Sequence, residues 1–308
     1  MHTNKLLVVL AFATVYLVWG STYFFIQVGI QGIPPLLLGA LRFLVAGLLL
    51  LGWSAWKGEQ IWNWQYVKHA AVSGALMLFV ALGLVMWAEQ TLPSGVTAIL
   101  VSSSPLWFVL LDRAKWQHNL RDKATILGLL IGFAGVALLF GEQFLRDMQH
   151  AQIFPMILLL LSTIAWSGGS LYSKYKLTGG AATVNTAWQM LAAAALFIPA
   201  SFLHGDVQNL HWAQVPTACW SALIYLIVFG SIAAFSAYVW LLQVRPATQV
   251  STYAYVNPVI AVLLGLCFGH ESISLLQVGG LVVILASVLL INLQKYRLLK
   301  PTSKARFI

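Results

Sequence analysis

Few residues in this chain could do chemistry, and most of them lie in apolar surroundings. GALRFLVAG, residues 39–47, places Arg42 in a run that stays apolar, glycines aside, from Leu36 to Trp53. A guanidinium keeps its charge at any ordinary pH, so Arg42 needs an anion, a hydroxyl or a set of carbonyl oxygens. Glu89 is the one carboxylate at the edge of an apolar segment away from a long loop. The two could form an ion pair. Alternatively, Arg42 could face an anionic group brought from outside, and Glu89 could carry a coupled proton. Tyr16, Trp19 and Tyr23 follow the spacing i, i+3, i+7 and share one helical face. SSSPLW sets Ser103 and Ser104 before Pro105, and YAYVNP sets Tyr253 and Asn257 on one face before Pro258. A proline inside a helix removes a backbone hydrogen bond and kinks it, so polar side chains are expected beside two helix kinks. This is chemistry of recognition, not of bond breaking.

Hydrolytic readings lack their residues. Asp112, Asp122, Asp147 and Asp206 fall in loops or at segment ends, and the seven histidines are terminal or close to loops. No phosphate-cradling GxxxxGK[ST] occurs. Cys219 and Cys267 stand 48 residues apart with no disulfide or metal spacing. No cofactor and no metal are expected.

The elements that position these residues follow from composition. The chain has 308 residues, 60% hydrophobic and 8% charged, with mean hydropathy +0.85. A soluble domain carries about 25% charged residues, so this is an integral membrane protein of all-α class. A net charge of +9 reads as a topology signal, not as a nucleic-acid surface. Ten segments reach the ~20 apolar residues of a span: 5–30, 35–56, 67–88, 93–111, 123–141, 153–173, 182–203, 216–242, 247–268 and 275–296. The N-terminal stretch is expected to be a retained first helix. With the N-terminus inside, all 17 basic residues except Arg42 and Arg146 fall on inner segments. That bias places both termini in the cytoplasm.

The chain is also a duplication. A shift of 147 lays Trp19 on Trp166, Ala40 on Ala187 and Leu44 on Leu191. A shift of 153 lays Trp87 on Trp240, Gln90 on Gln243, Pro93 on Pro246 and Pro105 on Pro258. Residues 1–141 and 153–296 are thus two five-helix repeats, followed by a basic cytoplasmic tail, 297–308. Five is odd, so the second repeat enters the membrane from the opposite side. Inverted repeats about an axis in the membrane plane characterise secondary transporters, with substrate near the midplane. The face matching Tyr16, Trp19 and Tyr23 holds Thr163, Trp166 and Ser170. Either these faces line a cavity or they supply packing between helices. Ser104 and Asn257 likewise line a pathway or bond to neighbouring helices.

VYLVWGSTYFFIQVGI at 15–30, PPLLLGALRFLVAGLLLL at 34–51, AEQTLPSGVTAILVSSSPLW at 88–107 and YAYVNPVIAVLLGLCFGHES at 253–272 together resemble the drug/metabolite transporter superfamily, in its EamA-type ten-helix exporters. The resemblance covers nearly the whole chain. It implies ten helices in two inverted repeats around a central cavity, and alternating access from the two sides. It implies export of a small organic metabolite, such as an amino acid or an amphipathic aromatic compound, across a bacterial inner membrane. The partners expected are that solute, the lipid bilayer and protons, with the chain acting as a monomer. An arginine at the Arg42 position is common in the family across unlike substrates, which favours a structural role there. The rival class is a membrane enzyme, lipid-handling protein or scaffold without solute flux.

Overall fold

The computed structural model describes residues 5–119, 121–146, 153–177 and 179–298. Among these there is no strand, and the long elements are helices. We number them α1 Lys5–Ile30, α2 Pro35–Trp56, α3 Trp64–Ala88, α4 Ser94–Leu111, α5 Lys123–Arg146, α6 Ile153–Lys176, α7 Ala182–His204, α8 Thr217–Val244, α9 Ala247–Phe268 and α10 Leu275–Leu298. Among the described residues, eight of them are long and apolar enough to cross a membrane. The other two, α5 and α10, carry shorter apolar stretches, Lys123–Leu139 and Leu275–Leu290. The expected tail continues past Leu298, outside the described residues.

Local chemistry explains where the helices start and stop. Pro34, Pro93, Pro216 and Pro246 precede α2, α4, α8 and α9, and a proline ring blocks extension of a helix backwards through it. Asn63 caps α3, its side chain accepting from Gln65 N at 3.0 Å. Gly205 closes α7 with φ 83°, a left-handed conformation that favours glycine.

The two halves pack on each other by exchange. Helix α2 lies along its counterpart α7, and α5 along its counterpart α10. Helix α1 packs on α8 and α9, as α6 packs on α3 and α4. Swapping the halves returns the same set of neighbours, as a twofold relation requires. Small residues allow the close approaches: a Cβ on Gly74 of α3 would overlap the Gln189 carbonyl of α7. Outward faces carry exposed Leu48, Leu49, Ile224, Val228 and Phe229, a surface suited to lipid and not to water.

Both halves also share a backbone irregularity. Ala75–Ala81 in α3 and Leu226–Phe235 in α8 are π-helical. The repeat shift of 153 nearly superposes them. A π turn adds a residue per turn, rotates the face that follows and is frequent at functional sites.

The kinks differ in part from expectation. Helix α4 breaks at Ser102–Ser103, and Pro105 sits in the first turn of the following piece. Helix α9 breaks at Ser251–Thr252, while Pro258 stays inside the continuous stretch Tyr253–Phe268. The two breaks are therefore about one helical turn out of register. A helix can carry an internal proline when neighbouring groups satisfy the freed carbonyl.

Candidate functional site

Aromatic rings from four helices meet at the centre of the molecule. Trp19 of α1 meets Trp166 of α6 edge-on at 5.2 Å and Tyr253 of α9 edge-on at 5.3 Å. It also meets Tyr238 of α8 at 4.7 Å. Such pairs contribute about 0.5–1.5 kcal/mol each beyond burial. Trp19 Nε1 donates to the Gly230 carbonyl at 3.3 Å, inside the π segment of α8. The widened turn thus supplies the acceptor that fixes the ring.

These rings border a central cavity of about 50 Å³, lined from both halves. At roughly 10–15 Å³ per water, it has room for only a few waters in this conformation. Of the residues expected to line it, Trp19, Tyr23, Trp166, Tyr253, Asn257 and Arg42 do. Tyr16 does not: its hydroxyl bonds Thr252 Oγ1 at 2.6 Å across the two halves. Ser103 and Ser104 are buried away from it, donating to Leu100 O and Val101 O of their own helix. Ser170 accepts from Tyr238 OH at 2.8 Å and stands behind the lining.

Thr22, Ser162, Ser231, Gly230 and Phe235 line the cavity without having been singled out from sequence. Ser231 and Phe235 lie in the π segment, where regular 3.6-residue spacing fails. Ser162 immediately precedes the predicted Thr163 face, so a wider face would have included it. The hydroxyls of Thr22, Ser162 and Thr163 donate to carbonyls of their own helices, and they present lone pairs to the cavity.

Arg42 and Glu89 form no ion pair, which corrects one of the two expectations for them. Arg42 Nε donates to Ser231 Oγ at 2.7 Å, and its guanidinium lies 5.0 Å from the Phe43 ring centroid. Its Nη1 is buried without a partner. The guanidinium is fixed laterally to α8 and so does not reach the Glu89 end. Both carboxylate oxygens of Glu89 are also buried without a hydrogen-bond partner, with Glu271 and Tyr23 near enough to interact electrostatically. Gln189, the repeat counterpart of Arg42, is buried against α3 and absent from the lining.

Polar contacts tie the halves together on both sides of the cavity. At the end carrying Glu89, the Glu271 carboxylate accepts from Ser94 N, Ser94 Oγ and Gly95 N. At the opposite end, Tyr175 OH donates to Asp112 Oδ1 at 2.7 Å, on the same side as the Tyr16–Thr252 bond. No local sequence signal announces this reach of Glu271, whose partners lie 176 and 177 residues away. Trp87, matched with Trp240 by the repeat, stacks edge-on with His204 at 5.5 Å beside a second pocket.

Comparison with known proteins agrees with this architecture. The chain is similar to "Uncharacterized inner membrane transporter YedA" of Escherichia coli strain K12, at 37% identity over 93% of this chain and 90% of that one. It is similar to "Uncharacterized transporter YoaV" of Bacillus subtilis, at 25% identity over 91% of this chain and 95% of that one. "Protein PecM" of Dickeya dadantii is 25% identical over 89% of each chain. A solved structure titled "Crystal structure of protein" superposes with TM-score 0.69 at 21% identity, covering 96% of this chain and all of that one, which establishes the fold. The EamA-like transporter family matches residues 6–141 and again 153–293, and the chain belongs to that family.

Proposed function

We propose that the chain is a secondary transporter that exports a small organic metabolite across a bacterial inner membrane by alternating access. The observation that carries this is the central cavity, lined from both halves and flanked at each end by contacts between them. Breaking one set while keeping the other would open the cavity to one side at a time. Residues 1–141 and 153–296 are the two moving units, and the bias of basic residues supports cytoplasmic termini. The aromatic lining favours a solute with an apolar or aromatic part. The driving force is the solute's own gradient or the proton gradient, and Glu89 is the group a proton coupling would use. The chain works without a cofactor, as a monomer, and catalyses no covalent step.

Flux of labelled aromatic amino acids and related acids and amines into proteoliposomes tests this reading. Saturable, protein-dependent flux of at least one of them is expected. Purified, folded protein that moves none of them, in either direction, would sink it.

A further inference from the structure

We propose that Arg42 is the carboxylate-recognising residue of the central cavity, so that the transported solute carries a carboxylate beside an apolar body. This rests on the transporter reading and names the class of solute. Arg42 is 3% exposed and lines the cavity. Among the described residues its one hydrogen bond is from Nε to Ser231, and Nη1 has no partner. Among the described residues no Asp or Glu lines the cavity, so the positive charge lies in a membrane interior with no counter-charge among them. Removing such a charge from water is costly unless it is paired and hydrogen-bonded. A structural arginine would have its donors satisfied by the protein. This one is instead held by one edge, on Ser231, with the rest of the fork left over.

The surroundings select what can fill the gap. A Cβ on Gly230 would stand 2.9 Å from Nη2, so glycine keeps the space beside the fork open. The neighbouring hydroxyls of Thr22, Ser162 and Thr163 already donate within their helices. They offer oxygen lone pairs, which do not bind an anion. Among the described residues Arg42 is therefore the one charged donor lining the cavity, with the buried, unpartnered Nε1 of Trp166 as a neutral second. The rings of Trp19, Trp166 and Tyr253, which line the same cavity, would take the apolar part. The carboxylate could belong to a simple acid or to an α-amino acid, whose ammonium would find those lone pairs and ring faces.

Binding to the purified full chain in nanodiscs, followed by tryptophan fluorescence and thermal shift, decides it. The probes are phenylpropionate, phenylpropionamide, phenylalanine and phenylalaninamide. For the wild type, at least one acid should bind about tenfold or more tighter than its amide, since a charge-assisted hydrogen bond is lost in the amide. Arg42→Gln should erase that gap, with acid binding falling by more than amide binding. If Arg42→Gln is not monodisperse, Arg42→Lys replaces it and should narrow the gap, because an ammonium lacks the fork. Which acid shows the gap identifies the simple-acid or amino-acid source. Equal binding of acids and amides, an undiminished gap in the variant, or no binding of any probe at millimolar concentration overturns the assignment. Flux without acid–amide discrimination would leave the transporter reading standing and remove this one. Discrimination without flux would do the reverse.

Discussion

The Glu271 carboxylate, just beyond α9, closes over the first turn of α4 and takes a 3.0 Å hydrogen bond from Gly95 N and a 2.9 Å bond from Ser94 N. It caps in trans a helix start to which its own half offers one side-chain acceptor, Gln27 Oε1, 3.2 Å from Ser94 N. Gly265 makes room for it, since a Cβ there would overlap the carboxylate. Charge-assisted bonds to a helix N-terminus are the stronger kind. Glu271→Ala should therefore loosen the contact between halves at this end. We expect a stability loss of about 1–3 kcal/mol, read as a lower melting temperature in detergent. Gly265→Ala should reproduce it, because the added methyl displaces the same carboxylate. Unchanged melting in both variants would show that this contact contributes nothing.

Gly230 is the second position where a methyl group decides an outcome. A Cβ there would lie 2.9 Å from Arg42 Nη2 and 3.1 Å from Thr22 Cγ2. Gly230→Ala should push the guanidinium off Ser231 and narrow the cavity mouth beside it. Its carbonyl, which accepts from Trp19, is backbone and survives. The protein should stay folded while saturable flux falls by about tenfold or more, the loss of one charge-assisted bond. Full flux in a well-folded variant would mean that Arg42 need not hold its observed place.

How much of this was readable beforehand differs by level. Helix existence was readable, because roughly 20 apolar residues satisfy their backbone only as a helix in lipid. The packing of α2 on α7 was not readable, because the shift that lays Ala40 on Ala187 makes the two helices equivalent without saying that they touch. The rotated face after each π segment was not readable: Leu226–Phe235 has the composition of an ordinary apolar helix. Ser231 and Phe235 were missed for that reason. Ser103 and Ser104 looked like cavity groups, yet a serine in a helix can bond its own backbone equally well, and here both do. Glu271 was missed because its partner lies 176 residues away.

Glu89 offers a test of coupling. Its two oxygens are buried without partners, near Glu271 and Tyr23. A carboxylate in that setting resists ionisation unless water enters. Glu89→Gln keeps the shape and removes the titrating proton. The variant should fold at least as well as the wild type. If the proton gradient drives transport through Glu89, flux should lose its dependence on an imposed pH gradient while exchange of solute for solute persists. A variant that still concentrates solute against its gradient when pH is imposed would exclude Glu89 as the proton carrier.

Tyr16 and Thr252 lie at the opposite end of the cavity from Glu271, joined at 2.6 Å between α1 and α9. If the halves open alternately, loosening either contact should bias the molecule toward the corresponding side. A cysteine at Ser162, which lines the cavity, reports this once Cys219 and Cys267 are replaced by serine. Tyr16→Phe removes the hydroxyl and keeps the ring packed on Phe12. It should speed labelling of that cysteine by an impermeant thiol reagent applied from the side of the termini. Glu271→Ala should speed labelling from the other side only. One neutral hydrogen bond corresponds to about 0.5–1.5 kcal/mol, so a two- to tenfold change in labelling rate is expected for Tyr16→Phe. Acceleration from both sides in either variant would indicate general loosening and contradict two separate gates.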